Sequence, residues 1–289
     1  MKSLAIVSTK AIASVFAVLN PTLFVNSSAK AMTSVLVFII AKTYALKPTK
    51  VIASVMAKKV SVGAKYLVID IPVGMCTKVK TKEKAETMAK KFLEVAKEMG
   101  IKAEVLLTDG TKPNGPAFGA ALEAKHAMQI LEGKVFDNLA QKSCQLAGTL
   151  FELTGKTKKG KGYQKAVEIL KTGKALEKMK EIIKAQGGTI NSSKKIKLSS
   201  NKIEILSKKS GKIERLDLTA LKDIARKAGA PADKKAGLML RVEEDDLIER
   251  GQVLFEIYGE NQRKLEIAKI TALKNNPIKL GEVVIEKIS

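Results

Sequence analysis

Residues 66–107 have the order strand, loop, helix, strand, and this order constrains the fold more than any other feature of the chain. Tyr66–Pro72 reads YLVIDIP, an apolar run typical of a buried strand. A helix begins after Thr81, has apolar residues at three- and four-residue steps, and ends at Gly100. Ile101–Leu107 is the second strand. Because strands joined through a helix usually pair in parallel, the sequence predicts an α/β region with a parallel sheet and surrounding helices.

The loop Val73–Val79 follows the first strand, at the strand end where open α/β sheets bind ligands. A helix predicted at Val51–Val62 precedes this strand and has Ser54 and Lys58 on one face. Two interpretations of that face remain open. The first is a solvated polar stripe on an amphipathic helix. The second is a hydroxyl and an ammonium aimed at a polar ligand, which Lys78 approaches from the loop. Residue spacing alone does not separate them.

Several collinear motifs resemble the pyrimidine-nucleoside (thymidine) phosphorylase family. The core motifs are VIASVMAKK, VIDIPVG, TKV, TDGTKPNG and ALEA. The resemblance is strongest to the archaeal AMP phosphorylase branch, which also has segments similar to KSCQLAG, ILKTGKALEKMKEIIKAQGG and DLTALKDIARKAGAPADKKAG. It extends from about Pro48 to the C-terminus, and a collinear run of this length is far more specific than one short motif.

The resemblance implies a cytoplasmic pentosyltransferase that cleaves an N-glycosidic bond with phosphate. In the AMP branch the reaction converts AMP and phosphate to adenine and ribose 1,5-bisphosphate. It implies no cofactor, with inorganic phosphate as co-substrate, and members of the family are commonly homo-oligomers. Two alternatives stay open: a thymidine or pyrimidine-nucleoside phosphorylase, and a non-catalytic relative that binds a nucleotide or only folds.

The resemblance also implies roles for single residues. Ser54 and Lys58 would hydrogen-bond the base. Lys78 would contact the ligand, at its phosphate in the AMP branch. Thr33 and Ser34 are the best-placed hydroxyls for a phosphate contact on the opposite side of the cleft.

Residues 1–47 differ from the rest of the chain, since no acidic residue precedes Asp70. The family has an all-α lobe and a glycine-rich phosphate loop in this region. We therefore expect that lobe to be missing and residues 1–47 to be a truncated or rearranged segment, with a targeting peptide as the alternative. Lys47 stands where the AMP branch has an aspartate thought to donate a proton, and a lysine takes that role only if its pKa is strongly lowered.

We expect a central α/β phosphorylase domain at residues 48–190 and a small C-terminal α/β barrel-like domain at residues 195–289. Further helices are predicted at 120–133, 136–153 and 163–186. The C-terminal domain is predicted to contain one helix, Leu218–Lys227, among short strands at IKLSS, KIEILSKKSGKIERLD, LMLRV, QVLFEIYG and GEVVIEKI.

Charge and composition limit the class of partner. The net charge is +23, but only five of the 52 basic residues are arginine and aromatic residues are 4%, so we expect no specific nucleic-acid partner. No stretch reaches the roughly 20 apolar residues that span a bilayer, so we expect no membrane partner. Cys76, Cys144 and His126 are too few for a zinc cluster built from Cys and His, and we expect His126 at the surface or in a helix cap. The acidic run Glu243–Asp246 is predicted to be a solvated turn rather than a metal site.

Overall fold

The computed structural model describes residues 48–61 and 63–281. They form two compact units: the α/β unit, residues 48–111 and 127–192, and the β-rich unit, residues 112–126 and 193–281. The predicted N-terminal segment 1–47, with Lys47, Thr33 and Ser34, lies outside the described residues. The last strand predicted from the sequence also lies mostly outside them, in residues 282–289.

The α/β unit is mostly helical and contains one pair of strands. Its elements are α1 (Pro48–Val60), β1 (Tyr66–Val73), α2 (Lys82–Glu98), β2 (Lys102–Asp109), α3 (Ala120–Leu131, which begins in the β-rich unit), α4 (Asn138–Leu153), α5 (Gly162–Lys171) and α6 (Lys174–Ala185). Strands β1 and β2 are parallel, with register from Tyr66 opposite Lys102 to Val73 opposite Asp109. The predicted strand, loop, helix, strand order is confirmed.

Strand β1 is buried on both faces, as its apolar run predicts. One face contributes Leu67, Ile69 and Ile71 to a core shared with α1 and α2. The other face contributes Val68, which packs against Leu146 and Leu150. The unit therefore has three layers, with the strand pair between α1 and α2 on one side and α4 on the other.

Helix α2 begins and ends where the sequence predicts. Thr81 has extended backbone angles, and its side chain accepts a hydrogen bond from the Lys84 N–H, which satisfies one of the unpaired amides of the first turn. Gly100 follows the helix at φ +67, a left-handed conformation that glycine adopts without strain. Phe92 and Ala96 lie on its buried face.

The helix predicted over 163–186 is wrong as a single element. Residues 172–173 separate α5 from α6, and Gly173 has φ +74, so the chain turns there and begins a new helix. Helices α4 and α5 cross at Gly148 and Gly162, where a Cβ added to Gly148 would lie 2.5 Å from the Gly162 carbonyl carbon. Only glycine permits so close an approach of two helix backbones.

The prediction that His126 lies at the surface or in a cap is also wrong. His126 is buried within α3, which has buried apolar residues on both sides of it in the sequence, among them Leu122, Ala127 and Ile130.

The β-rich unit contains two antiparallel sheets and two helices. Its elements are β3 (Ala117–Phe118), a 3₁₀ turn at Ser193–Lys195, β4 (Lys202–Leu206), β5 (Gly211–Leu216), α7 (Leu218–Ala228), β6 (Gly237–Leu240), β7 (Leu247–Ile248), β8 (Val253–Tyr258), α8 (Gln262–Asn275) and β9 (Ile278–Gly281). The four-stranded sheet has the order β3-β6-β8-β4, and the three-stranded sheet has the order β7-β5-β9. The mixed α/β character of the chain is therefore confirmed.

Three details of this unit differ from the predictions. The segment IKLSS is not a strand, and the first strand of the region begins at Lys202. Helix α8 is a second helix, begun by Asn261, whose side chain accepts a hydrogen bond from the Lys264 N–H. The short strand β3, which the sequence does not predict, pairs with β6. The acidic run Glu243–Asp246 does form a turn, in which the Asp246 carboxylate accepts from the Glu243 N–H.

A buried carboxylate links three strands of the four-stranded sheet. Glu256 on β8 accepts hydrogen bonds from Lys202 on β4, from Arg241 directly after β6, and from Tyr258. Burial alone would raise the pKa of Glu256, but the hydrogen bonds from Lys202, Tyr258 and Arg241 hold that pKa below its usual value. Burial and the bond to Glu256 raise the pKa of Tyr258. All three donors are occupied by one carboxylate, so the cluster is a structural cross-link.

In the described part of the chain, no helix is both long enough and apolar enough to cross a bilayer.

The core of the α/β unit provides a test of its packing. Phe92 is fully buried in the cluster around β1, whereas its neighbour Leu93 is 40% exposed. We expect Phe92→Ala to lower the free energy of unfolding by about 3–5 kcal/mol, because it removes the buried ring and leaves a cavity. The matched control Leu93→Ala should lower it by no more than about 1 kcal/mol. Urea unfolding followed by circular dichroism measures both, and equal losses would contradict this packing.

Candidate functional site

The loop that follows β1 is held in a fixed shape by its own backbone. The Gly74 N–H donates to the Val79 carbonyl at 3.1 Å, and the Thr77 hydroxyl is within 2.8 Å of the carbonyl oxygens of both Gly74 and Val79. Lys78 lies between these anchored positions, and its side chain is exposed. The loop therefore presents one ammonium group from a well-defined backbone at the carboxyl end of a parallel strand.

Two glycines allow this loop to pack on the chain that follows β2. The Gly110 N–H donates to the Val73 carbonyl at 2.8 Å. A Cβ on Gly74 would lie 3.0 Å from the backbone of Gly110 and Thr111, and a Cβ on Gly110 would lie 2.3 Å from the Thr77 methyl group. A side chain at Gly74 would therefore require the backbone of the facing turn to shift, and one at Gly110 would require Thr77 to move.

A buried ion pair fixes the strands directly below the loop. The Asp70 carboxylate on β1 accepts a hydrogen bond from the Thr108 hydroxyl on β2 at 2.5 Å and pairs with the Lys142 ammonium on α4 at 2.9 Å. The Asp70 and Lys142 side chains are 3% and 10% exposed. Each carboxylate oxygen has a donor, as a buried charge requires. The sequence does not predict this link, since Asp70 and Lys142 are far apart in the chain.

A groove of about 430 Å³ lies between the loop and helix α2. It is lined by three lysines, Lys78 from the loop and Lys84 and Lys91 from α2, together with Val79, Glu83, Thr87 and Met88. This volume lies within the usual range for small-molecule sites.

Charge in the groove is predominantly positive. A hydrogen bond from its own backbone N–H and one from the Thr81 hydroxyl hold the pKa of Glu83 below its usual value, so this carboxylate is ionised at neutral pH. One carboxylate and three ammonium groups leave the lining with a net charge of about +2. The groove can therefore bind an anion. Its lining includes neither a cysteine nor a histidine, so the groove itself offers no thiolate or imidazole for catalysis.

The predicted site residues do not all meet in this groove. Lys78 lines it, but Lys58 lies on the exposed side of α1 and is not among the described lining residues. Ser54 is one turn before Lys58 in α1, and its side chain lies outside the described part of the chain, as do Thr33, Ser34 and Lys47. The roles of these residues stay predictions. Within residues 48–61 and 63–281, no three His, Cys, Asp or Glu side chains form a metal-binding cluster.

The two cysteines lie in different environments. Burial raises the pKa of the Cys144 thiol on α4 to about 12, whereas Cys76 is partly exposed in the loop beside Lys78. Cys144 is therefore a protonated core residue near neutral pH, and Cys76 is the thiol that a reagent in solution can reach.

The buried pair predicts an asymmetric response to mutation. Lys142→Met should lower the free energy of unfolding by about 3–5 kcal/mol, because the Asp70 carboxylate stays buried without its counter-ion. The double variant Asp70→Asn, Lys142→Met should recover part of this loss. As a control, Lys165→Met breaks an exposed pair with Glu168 and should cost about 1 kcal/mol or less. If Lys142→Met and Lys165→Met unfold at the same urea concentration, the pair is not stabilising.

Thiol labelling tests the position of the loop. With iodoacetamide at pH about 8.5, close to the pKa of an ordinary thiol, we expect the folded protein to be alkylated at Cys76 and not at Cys144. In urea both thiols should react. Peptide mass spectrometry of wild type and of Cys76→Ser measures this. Alkylation of Cys144 in the folded protein at the rate seen in urea would contradict its burial.

Comparison with known proteins identifies relatives for most of the chain, although no protein-family model matches it. It is 39% identical over 242 residues to an AMP phosphorylase of Methanococcus aeolicus and 42% identical over 242 residues to an AMP phosphorylase of Methanococcus maripaludis. It is 41% identical over 239 residues to an AMP phosphorylase of Pyrococcus horikoshii. The matches cover 82–83% of this chain and 48% of each relative.

The chain thus spans about half the length of the curated relatives it matches. Identity near 40% over more than 230 residues is well above what shared composition produces, and three archaeal proteins with the same name agree. The predicted resemblance to archaeal AMP phosphorylases is therefore confirmed over 82–83% of this chain.

Proposed function

We propose that this chain forms the nucleobase-binding side of a phosphorolytic cleft, in which inorganic phosphate cleaves AMP to adenine and ribose 1,5-bisphosphate. The observation that supports this most directly is the identity of 39–42% with archaeal proteins named AMP phosphorylase. The position of Lys78, exposed on a fixed loop at the carboxyl end of β1, agrees with a ligand site in an α/β unit.

In this reaction the bond between the anomeric carbon and the base nitrogen breaks, and a bond from that carbon to a phosphate oxygen forms. The departing base accumulates negative charge, so hydrogen-bond donors that strengthen as it leaves lower the barrier. Ser54 and Lys58 are four residues apart in α1, a spacing that brings side chains onto one helix face. Their hydroxyl and ammonium groups are suitable donors to the ring atoms of the base.

Lys78 takes a different part in the proposal. An ammonium group binds a phosphate oxygen as a point charge, and such charge-assisted bonds are about twice as strong as neutral ones. The backbone hydrogen bonds of the 74–79 loop limit how far Lys78 moves, which favours contact with a charged ligand over free hydration. The proposal needs inorganic phosphate as co-substrate and no cofactor, and we expect the protein to act in the cytoplasm.

A second candidate function is nucleotide binding without turnover. Lys47 favours it, since this residue replaces the aspartate that the resemblance assigns as proton donor. An ordinary lysine has a pKa near 10.4, so its ammonium group donates a proton to the departing base far less readily than a carboxylic acid does.

Adenine release from AMP tests the proposed reaction. The purified chain with AMP and phosphate should release adenine in a phosphate-dependent manner, as measured by chromatography. Lys58→Ala and Lys78→Ala should each lower kcat/KM by tenfold or more, since losing one charged hydrogen bond costs about 1.5–3 kcal/mol. Lys90→Ala, an exposed lysine of α2 that does not line the groove, is the matched control and should retain wild-type activity.

The other outcomes separate the candidate functions. Release of thymine or uracil from thymidine or uridine, with no adenine from AMP, would assign the chain to nucleoside phosphorolysis. Binding of AMP in calorimetry without adenine release would favour the binding function. A chain that binds none of these ligands and releases no base would overturn the proposal.

A further inference from the structure

We propose that Lys84 and Lys91 of α2 join Lys78 in a site for the phosphate group of a 5′-nucleotide, and that this groove makes the chain select nucleotides over nucleosides. The identity of the ligand as a nucleotide rests on the proposed function. The site itself rests on the geometry and charge of the groove.

The two helix lysines lie on the face of α2 that lines the groove. Lys84 and Lys91 are seven residues apart, two helical turns, and Met88 lies between them at the four-residue step. Lys78 enters the same groove from the loop. Three lysine side chains from two separate elements thus line one concave surface.

Some lysines on the helices of this unit form ion pairs within their own helix. Lys82 pairs with Glu86, Lys165 with Glu168 and Lys180 with Glu177, each within one helical turn. In the described part of the chain, neither Lys84 nor Lys91 has a carboxylate oxygen within salt-bridge distance of its ammonium group. Their charge is therefore not neutralised by a neighbouring side chain and can be neutralised by a ligand.

The charge of the groove matches a phosphate monoester. Such a group carries a charge of about −1.5 to −2 at pH 7. The lining has three lysines and the ionised Glu83, which gives a net charge of about +2. Two of the lining residues, Glu83 and Lys84, lie in the first turn of α2, where the helix dipole adds to the positive potential. Glu83 disfavours a ligand with negative charge at its own end of the groove, and this fixes the orientation of a bound anion.

The groove is larger than a phosphate group alone requires, and most of its lining surface is apolar. Val79 is buried, Met88 is half-buried, and both contribute apolar surface beside the lysines. The Thr87 hydroxyl donates to the Glu83 carbonyl, so its oxygen keeps a lone pair for a ligand donor. A phosphate bound by the lysines therefore has room beside it for an attached sugar, which inorganic phosphate lacks.

Affinities for three ligands test this assignment. Calorimetry on the full chain would measure dissociation constants for AMP, adenosine and inorganic phosphate. We expect wild type to bind AMP at least tenfold more tightly than adenosine. Lys84→Gln, Lys91→Gln should weaken AMP binding about tenfold or more and leave adenosine binding unchanged. Lys90→Gln removes an adjacent exposed charge outside the groove and should change neither. Because all three lysines are exposed, these variants are expected to fold.

Each alternative result has a defined meaning. If the double variant binds AMP as wild type does, the lysines are not the phosphate site, while the proposed function stands. If it loses affinity for inorganic phosphate and keeps the wild-type ratio of AMP to adenosine affinity, the groove binds the co-substrate and the assignment to the 5′-phosphate is overturned. If wild type binds neither AMP nor adenosine, the proposed function fails. Chemical-shift changes at Lys84 and Lys91 amides on adding inorganic phosphate would then still support an anion site, and their absence would overturn it.

Discussion

The buried carboxylate of Asp70 is the constraint on which the α/β unit depends. It brings together β1, β2 and α4 through Lys142 and Thr108, and none of these three groups would be stable in the interior without the others. An apolar core tolerates small slips between layers, but a buried charge with directed hydrogen bonds does not. The strand pair therefore has one defined position relative to α4. Because the loop bearing Lys78 begins only four residues after Asp70, the start of that loop has a defined position as well.

The candidate site combines a rigid support with flexible charged groups. The 74–79 loop and α2 hold their backbones through hydrogen bonds and a capped helix start, while the lysine side chains extend into solvent. A site built in this way recognises a ligand by the position of its charge more than by close shape fit, since long ammonium side chains adapt to the ligand. The β-rich unit uses charge differently: there, Glu256 has all of its donors inside the protein.

Helices and strands are predictable from the sequence where the spacing of apolar residues matches the buried face. They are not predictable where large apolar residues are exposed. Helix α2 and strand β1 were predictable because their apolar residues face the core. Helix α8 was not, since its large residues Ile267, Ile270 and Leu273 are exposed, and Leu265 is the one large residue among its buried positions. The position of Lys78 could be predicted from local order. The groove could not be predicted, because in the sequence Lys84 and Lys91 are typical of a solvent-exposed helix face. Only the structure places the loop with Lys78 beside them.

The contact between Gly74 and Gly110 has a consequence for how this protein can evolve and move. The loop after β1 and the chain after β2 are in direct backbone contact at these glycines. A ligand that displaces the first segment is therefore expected to displace the second as well. A side chain added at Gly74 meets mostly main-chain atoms, whereas one added at Gly110 first meets the Thr77 methyl group. Sequence drift in this region is therefore confined to the outward positions, Met75 foremost among them.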